Sequence, residues 1–294
     1  MSFGPNPWQQ QSWDARAAAN FMCGGAGSGL IVVTGLGGGP VWALAVGAAL
    51  VALGLFSVFM EIGRPLRAMN VVRHPGRSWM TREALVAPLL FASVAGAWLA
   101  PAAWLPAGAA LAALAALAFV YCQGRMLQAA KGIPAWREPL VVPLVVATGL
   151  AEGGGLWLLL TVASGPAITL PWAVTGLALL ARWALWLAWR NRLRAALRAL
   201  AAIDSAGRVF KAATLLPLVA AALALASPLP PGALAALQAL AGALALAGGL
   251  WFKFTLVTRG AYNQGFALTR LPVRGLRYAL CAVLLIASGK LLLA

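Results

Sequence analysis

Long apolar runs with almost no charged residues constrain this chain more than any other feature of its sequence. Eight such runs lie at about 17–38, 41–60, 84–100, 103–127, 139–163, 170–190, 212–227 and 232–256. A helix of about 20 apolar residues crosses the hydrocarbon core and satisfies its own backbone hydrogen bonds. With 62% hydrophobic and 10% charged residues in 294 positions, a soluble core could not hide this surface. The sequence predicts an all-α polytopic membrane protein with eight transmembrane helices.

The two ends of the chain differ from this apolar middle. Residues 1–16 are polar and aromatic and lack a basic region followed by a short apolar core, so they do not resemble a cleavable signal peptide. The predicted membrane domain spans 17–258, and a tail at 259–294 follows it. The last apolar run, about 278–294, is short for a span and contains Lys290. We predict a partial or interfacial insertion there, with a ninth helix or a re-entrant segment as alternatives.

Basic residues concentrate on one side of the predicted membrane domain. Four connections contain no charged residue, near 39–40, 101–102, 164–169 and 228–231. The opposite side takes all Lys and Arg residues except Arg182, if Lys253 is counted with the tail. Loops rich in Lys and Arg stay in the cytoplasm, so we predict that the N-terminus and the charged loops face it. This bias accounts for the net charge of +16, and no soluble basic module is present to bind nucleic acid.

Metal and haem chemistry is not expected within this chain. Its three cysteines, Cys23, Cys122 and Cys281, are far apart and do not have the spacing of a zinc site or an iron–sulfur cluster. The single histidine, His74, cannot supply the two axial ligands that a membrane b-type haem usually needs. We therefore predict no metal site and no haem.

The stretch EIGRPLRAMNVVRHPGRSWMTRE, residues 61–83, concentrates the polar chemistry of the chain between two apolar runs. A quinone takes up two protons with two electrons, so its site needs an acid or donor near one carbonyl and a polar partner near the other. The predicted quinone-binding and proton-transfer residues are Glu61, Arg64, Arg67, Asn70, Trp79, Arg82 and Glu83. The alternative, that the arginines only face lipid phosphates and fix the topology, applies most to Arg73 and Arg77.

Two ionisable residues fall inside predicted spans. Glu152 lies near the middle of the fifth run and Arg182 within the sixth. An ionisable group at that depth costs at least about 2.5 kcal/mol unless it is neutral or paired. We predict a functional role for both, with Arg182 or a hydroxyl group as the partner of Glu152. A protonated Glu152 that ties two helices together is the alternative, and a proton path across the membrane is a further hypothesis. The seventh and eighth runs are nearly pure Ala, Leu and Gly and are predicted to be scaffold.

Several motifs resemble one family of membrane anchors. EIGRPLRAMN and RSWMTRE resemble the loop between the second and third spans of the membrane-anchor subunits of dimethyl sulfoxide reductase and polysulfide reductase. KGIPAWREP, at 131–139, is similar to that family's loop before the fifth span. Within the family, PNPWQQQSWDARAAANF and AYNQGFAL look most like the anchor of phenylacetyl-CoA:acceptor oxidoreductase.

The resemblance implies eight spans in two four-helix bundles with no covalently bound cofactor. It implies two partners, a ferredoxin-like iron–sulfur subunit and a catalytic subunit that holds molybdopterin or tungstopterin. Electrons would pass to a membrane quinone of the ubiquinone or menaquinone type, as in anaerobic respiration. Glu61 falls where the dimethyl sulfoxide reductase anchors have a histidine implicated at the quinone site.

Orientation and docking follow from the same resemblance. Well-known members place this face outside the cytoplasmic membrane, whereas the basic loops here predict the cytoplasmic side of a bacterial inner membrane. A catalytic subunit acting on phenylacetyl-CoA would need that side, because CoA esters are intracellular. The residues expected to dock the partners are Trp8, Trp13, Arg73, His74, Arg77, Trp136 and Arg137.

Two other functions remain open at the level of sequence. One is a proton-coupled transporter or channel, for which Glu152 and the neighbouring glycines are the candidate midplane groups. The other is an inert membrane anchor without a quinone site, which would not need Glu61.

Overall fold

The computed structural model describes residue 4 and residues 6–61, 70–71, 75–162 and 169–266. In these ranges, eight helices are long and apolar enough to cross a membrane, which confirms the predicted all-α polytopic membrane fold. The helices are α1 (Ala15–Gly37), α2 (Val41–Phe59), α3 (Trp79–Leu99), α4 (Leu105–Ala129), α5 (Pro134–Arg137), α6 (Val141–Thr161), α7 (Thr169–Arg192), α8 (Leu197–Ala226) and α9 (Pro231–Phe254). Helix α5 is a single turn between spans, and α9 continues into a π-helical turn at Thr255–Arg259.

The spanning helices form two four-helix bundles, as the family resemblance implied. Helices α1 to α4 pack together in the first bundle, and α6 to α9 pack together in the second. Helix α1 joins the two, because it contacts α6 and α9 as well as its own neighbours. Most of α1 and α6 is therefore buried, whereas the other six spans bury only 28–39% of their most apolar stretch. Their outward apolar faces are suited to contact lipid.

Glycines set the close approach of the two bundles. A Cβ atom on Gly29 of α1 would collide with the carbonyl oxygen of Gly149 in α6, and a Cβ on Gly153 would collide with the backbone of Gly29. Small residues let membrane helices pack backbone to backbone where no hydrophobic force drives them together. Helix α1 also approaches α2 closely at Gly27, where a Cβ atom would overlap the carbonyl oxygen of Gly47.

Two predicted helix boundaries are wrong. Helix α3 begins at Trp79 and not at about 84, because Ser78 caps it by accepting a hydrogen bond from the backbone N–H of Thr81 at 3.2 Å. The predicted basic loop between 190 and 212 is almost entirely helical, since α7 continues to Arg192 and α8 begins at Leu197. Helix ends that project from the hydrocarbon carry charges, so a search for apolar runs stops before the helix does.

One face of the membrane domain gathers the polar segments, and it is called the charged face below. It carries residues 6–14, residues 75–78 before α3, helix α5, the connection between α7 and α8, and residues 260–266. Here residues 6–10 and 261–265 run side by side and form what is called the terminal strap. Its hydrogen bonds include Gln10 N–H to Ala261 O at 2.9 Å and Asn263 N–H to Trp8 O at 2.9 Å. The strap joins the start of the first bundle to the end of the second.

Candidate functional site

A cavity of about 280 Å³ opens at the charged face, between the first bundle and the segment that leads into α1. Its wall combines two carboxyl groups and one amide with aromatic and methionine side chains. The lining residues are Ser12, Trp13, Ala17, Asn20, Phe21, Val58, Glu61, Met80, Glu83 and Met126. Glu61 and Glu83 belong to the predicted quinone-binding set, and the structure brings them to one cavity from the ends of α2 and α3.

Local helix signals place these side chains. Asp14 caps α1 by accepting a hydrogen bond from the backbone N–H of Arg16 at 2.7 Å. The helix then presents Ala17, Asn20 and Phe21 on one face, because residues three and four apart lie on the same side of a helix. The same spacing aligns Met80 and Glu83 in the first turns of α3.

Glu83 is the most buried acid of the cavity, with 4% of its surface exposed. Its Oε1 accepts a hydrogen bond from the Asn20 side-chain amide at 3.3 Å. The side-chain amide of Gln123 in α4 donates to the backbone carbonyl oxygen of Asn20 at 2.9 Å. The described hydrogen bonds and ion pairs give Glu83 no cationic partner. A carboxyl group buried in this way costs least in free energy as the neutral acid, a form that can give a proton to a ligand.

Glu61 lies just beyond the end of α2, half-buried at the rim of the cavity. Burial, and next the charge of Asp14, raise the pKa of Glu61 above its usual range, while Arg16 opposes the shift. Arg16 also donates to the carbonyl oxygen of Met60 at 3.2 Å, which fastens the end of α2 to the start of α1. Glu61 therefore lies where its carboxyl group can contact both water and the cavity.

Other members of the predicted set lie elsewhere. The guanidinium groups of Arg82 and Arg125 both lie over the ring of Trp79, with Cζ atoms 4.0 and 4.5 Å from its centre. Arg82 also donates to the carbonyls of Pro75 and Gly76, at 2.8 and 3.1 Å. Trp79 and Arg82 thus pack at the turn before α3 and do not line this cavity, and their role at a quinone site stays a prediction.

Asn70 is exposed and does not line this cavity either, and its role also stays a prediction. The predicted residues Arg64, Arg67, Arg73 and His74 lie outside the described part of the chain. The wall residues that sequence reasoning missed include Asn20, whose polar side chain within an apolar run was the available signal.

The predicted docking residues divide into buried and accessible ones. Trp136 is 3% exposed, donates its indole N–H to the carbonyl oxygen of Leu256 at 2.8 Å and stacks on Trp13. Its assignment to a docking surface is therefore corrected, and Trp13 belongs to the cavity wall. Trp8, 59% exposed, and Arg77 remain accessible at the charged face. Arg137 is half-buried there and donates to the carbonyl oxygen of Lys131 at 3.3 Å.

A second group of ionisable residues lies deep in the second bundle. Glu152 Oε2 is 2.5 Å from Nζ of Lys253, and both side chains are buried. The partner of Glu152 is therefore Lys253 of α9 and not Arg182, and the predicted place of Lys253 in the tail is wrong. The signal was present, since Lys253 lies inside the eighth apolar run, where an ionisable residue indicates function as much as Glu152 does.

Arg182 is anchored by helices α8 and α9. Its guanidinium group donates to the carbonyl oxygens of Ala245 and Ala213, at 3.0 and 2.8 Å, and to the hydroxyl of Thr214 at 2.7 Å. The side chain is fully buried and lies against the ring of Phe210. Arg182 is therefore paired with backbone carbonyl groups, whereas the sequence analysis predicted that it pairs with Glu152.

Neither metal ligands nor relatives identify the activity. Among the described residues, no group of three or more His, Cys, Asp and Glu side chains could hold a metal ion. No family model matches the chain, and no curated protein matches it either. Evidence for a function must therefore come from the cavity at the charged face and from the buried polar groups behind it.

Proposed function

We propose that this chain is the membrane-anchor and quinone-reducing subunit of a molybdenum or tungsten iron–sulfur oxidoreductase complex. The observation that carries the proposal is the cavity at the membrane boundary, in which Glu83, Asn20 and Glu61 stand among aromatic and methionine side chains. Electrons would come from a ferredoxin-like subunit at the charged face and pass to a quinone in this cavity.

The size and lining of the cavity suit a quinone ring. About 280 Å³ is close to the lower end of the roughly 300–1,000 Å³ typical of ligand pockets, which fits a head group without its isoprenoid tail. Trp13 and Phe21 offer flat apolar faces, and Met80 and Met126 offer adaptable ones. Met80 is 46% exposed on the surface of the first bundle, so the tail can extend from this side into lipid.

The polar groups fit the proton chemistry of a quinone. Reduction to the quinol adds two electrons and two protons, one to each carbonyl oxygen. Asn20 can donate a hydrogen bond to one carbonyl, and Glu83 as the neutral acid can supply a proton. Glu61 at the rim can return protons from water to the cavity, because it contacts both and burial raises its pKa above its usual range.

The catalytic reaction and the membrane side are further parts of the proposal. The uncharged connections on one side and the basic segments on the other favour a cytoplasmic location of the charged face. Oxidation of phenylacetyl-CoA or a similar thioester by a cytoplasmic catalytic subunit is consistent with that orientation. The motif resemblance supports this substrate class, and Trp8 and Arg77 are accessible to a partner on the same face.

A ligand-binding experiment tests the cavity. The full-length chain, purified in mild detergent, is titrated with 2-heptyl-4-hydroxyquinoline N-oxide, a fluorescent quinol analogue. We expect quenching on binding, loss of binding in Ala17→Leu, which fills the cavity, and at least threefold weaker binding in Asn20→Leu, which removes a donor worth about 1 kcal/mol. The matched control is Gly176→Ala on α7, where the added methyl meets only Ala221 at 3.4 Å. Unchanged binding in Ala17→Leu would remove the cavity from the proposal.

Purification from native membranes tests the complex. The tagged chain should bring with it iron–sulfur and molybdenum or tungsten subunits, identified by mass spectrometry and metal analysis. In that complex Glu61→Gln should slow quinone reduction with assembly intact, whereas Glu138→Gln, at the charged face of the other bundle, should not. A chain that purifies alone and metal-free contradicts the proposal, and an inert anchor would retain full quinone reduction in Glu61→Gln.

A proton-coupled transporter is the second candidate, and the buried pair of Lys253 and Glu152 is the observation that favours it. Transporters commonly bind their substrate where helices are broken at the midplane. In the described part of the chain, α6 continues as a helix through Glu152, and α9 passes directly from Lys253 into the π-helical turn without an unwound segment. This continuity favours the anchor. Substrate uptake by proteoliposomes that hold the chain alone would reverse the preference.

A further inference from the structure

The ion pair of Lys253 and Glu152 is held in spaces made by glycines. A Cβ on Gly249, one turn before Lys253 in α9, would collide with the Glu152 carboxyl group. A Cβ on Gly25 of α1 would collide with Nζ of Lys253. The ammonium group therefore points out of its own bundle and into the groove where α1 crosses, toward the first bundle.

Gln123 of α4 reaches the same groove from the other side. The point where a Cβ on Gly25 would stand is 3.6 Å from Oε1 of Gln123, and a Cβ on the neighbouring Gly24 would lie 2.5 Å from its Nε2. Gln123 donates to the backbone carbonyl of Asn20, whose side chain donates to Glu83 in the cavity wall. Polar groups thus lead from the cavity to the groove that holds the ion pair, where the described hydrogen bonds do not join Gln123 to Lys253 directly.

Each step of this series contains a buried acceptor. Oδ1 of Asn20, Oε1 of Gln123 and Oε1 of Glu152 are buried, and none has a hydrogen-bond partner among the described residues. Buried acceptors are nearly always hydrogen-bonded, by water where protein donors are absent. The three acceptors therefore place groups that can bind water along the way from the cavity to Lys253, and a proton can pass between such groups by way of water.

The charges around the pair indicate which group can release a proton. Two buried cations, Lys253 and Arg182, face a single buried anion, Glu152. A surplus cation inside a membrane costs free energy. Arg182 keeps its proton under physiological conditions, whereas the ammonium group of a lysine can act as a proton donor. Lys253 is therefore the group that can relieve the surplus.

We propose that Lys253, paired with Glu152, is a proton-exchanging site that serves the cavity through Gln123 and Asn20. The inference rests on the proposed quinone function. When the quinone accepts two electrons from the iron–sulfur partner, the Glu83 carboxyl group gives one proton to a carbonyl oxygen. The Lys253 ammonium group gives the second proton through the intervening water. Glu83 is left as the carboxylate and Lys253 as the neutral amine while the quinol stays bound, and both regain their protons from the charged face when it leaves.

Electrochemically induced infrared difference spectroscopy tests this assignment on the full-length chain with bound ubiquinone-1. Reduction of the quinone should change the carboxylate bands of Glu152, because its partner loses a charge. We expect this signal to be lost in Glu152→Gln. It should also be lost in Gly25→Ala, in which the added methyl displaces Lys253, while the bands of the quinone itself remain. Gly176→Ala, which adds the same methyl in an ordinary contact, should keep the signal.

The outcomes separate this inference from the proposed function. If ubiquinone-1 binds and is reduced but the spectra of the native chain and Glu152→Gln agree, the proton-exchanging site is wrong and the quinone cavity stands. The link through α1 is also wrong if Gly25→Ala keeps the Glu152 signal. If ubiquinone-1 does not bind to the native chain, both proposals fall. Gln123→Leu provides the same test of the link should Gly25→Ala fail to fold.

Discussion

Nζ of Lys253 lies 2.5 Å from Oε2 of Glu152, although 101 residues separate the two in the sequence. The pair bridges α9 and α6 inside the second bundle, where neither side chain reaches the surface. Burying two charges together costs desolvation free energy that their attraction only partly offsets. The pair is therefore a poor device for stability alone.

The pair predicts an asymmetry between its two single variants. Glu152→Gln leaves two cations without an anion, whereas Lys253→Met leaves Glu152 with Arg182 as a nearby cation. Removing one partner of a buried pair costs about 3–5 kcal/mol, and we expect the larger loss in Glu152→Gln. Thermal unfolding in detergent measures both. The double variant should lose less than the sum, with a coupling energy of about 0.5–3 kcal/mol, and strict additivity would argue against a direct pair.

The contact between Gly29 and Gly149 predicts that the joint between the bundles tolerates no methyl group. In Gly29→Ala the new Cβ must displace the backbone of α6, and overpacking of this kind costs about 1–3 kcal/mol or more. We expect a lower unfolding temperature and a smaller monodisperse fraction in size-exclusion chromatography. Gly207→Ala is the control, because its methyl would meet only Trp186, at 3.7 Å. Equal behaviour of the two variants would mean that α1 and α6 stand further apart.

The indole of Trp136 predicts a stability effect where the sequence suggested a docking role. Trp136→Phe keeps a ring against Trp13 but leaves the carbonyl oxygen of Leu256 without its donor. A buried acceptor left unpaired costs about 1–3 kcal/mol, which should lower the unfolding temperature. Trp8→Phe, at an exposed position, should leave it unchanged. If Trp136→Phe is neutral for stability but releases the iron–sulfur partner, the docking role returns.

Glu61 predicts a pH dependence of stability with a definite sign. Burial, then Asp14, raise its pKa above the ordinary 4.5, so the folded protein binds this proton more tightly than the unfolded chain does. Stability from this group is fully present below about 4.5 and is lost as the pH rises through the folded pKa. Glu61→Gln should flatten the unfolding temperature across that window. A steeper profile in the variant would reverse the assigned sign.

Hydropathy predicted the spanning helices because the bilayer imposes one length and one polarity on them. The resemblance supplied their grouping into bundles. What hydropathy could not locate are helix ends outside the hydrocarbon, such as the start of α3 at Trp79 and of α8 at Leu197. There a capping serine or a stretch of charged helix decides the boundary, and neither one changes the length of the apolar run.

The candidate site likewise contains residues that the sequence could predict and contacts that it could not. Glu61 and Glu83 were predictable because carboxyl groups at membrane helix ends are rare and therefore conspicuous. The hydrogen bond from Asn20 to Glu83 depends on which faces of α1 and α3 meet, which is a property of tertiary packing. The pairing of Glu152 with Lys253 likewise depends on the crossing of α6 and α9, although the position of Lys253 inside an apolar run was visible in the sequence.

The terminal strap makes the connection between the two bundles different at the two faces of the molecule. Residues 6–10, which lead into the first bundle, are hydrogen-bonded to residues 261–265, which leave the second, and Arg198 of α8 adds a bond to the carbonyl oxygen of Pro7 at 2.7 Å. At the opposite face, helix packing alone joins the two bundles in the described part of the chain. Separating the bundles at the charged face therefore requires these hydrogen bonds to break in addition to the helix contacts. The cavity lies next to this doubly fastened end, since Ser12 and Trp13 of its wall directly follow the strap.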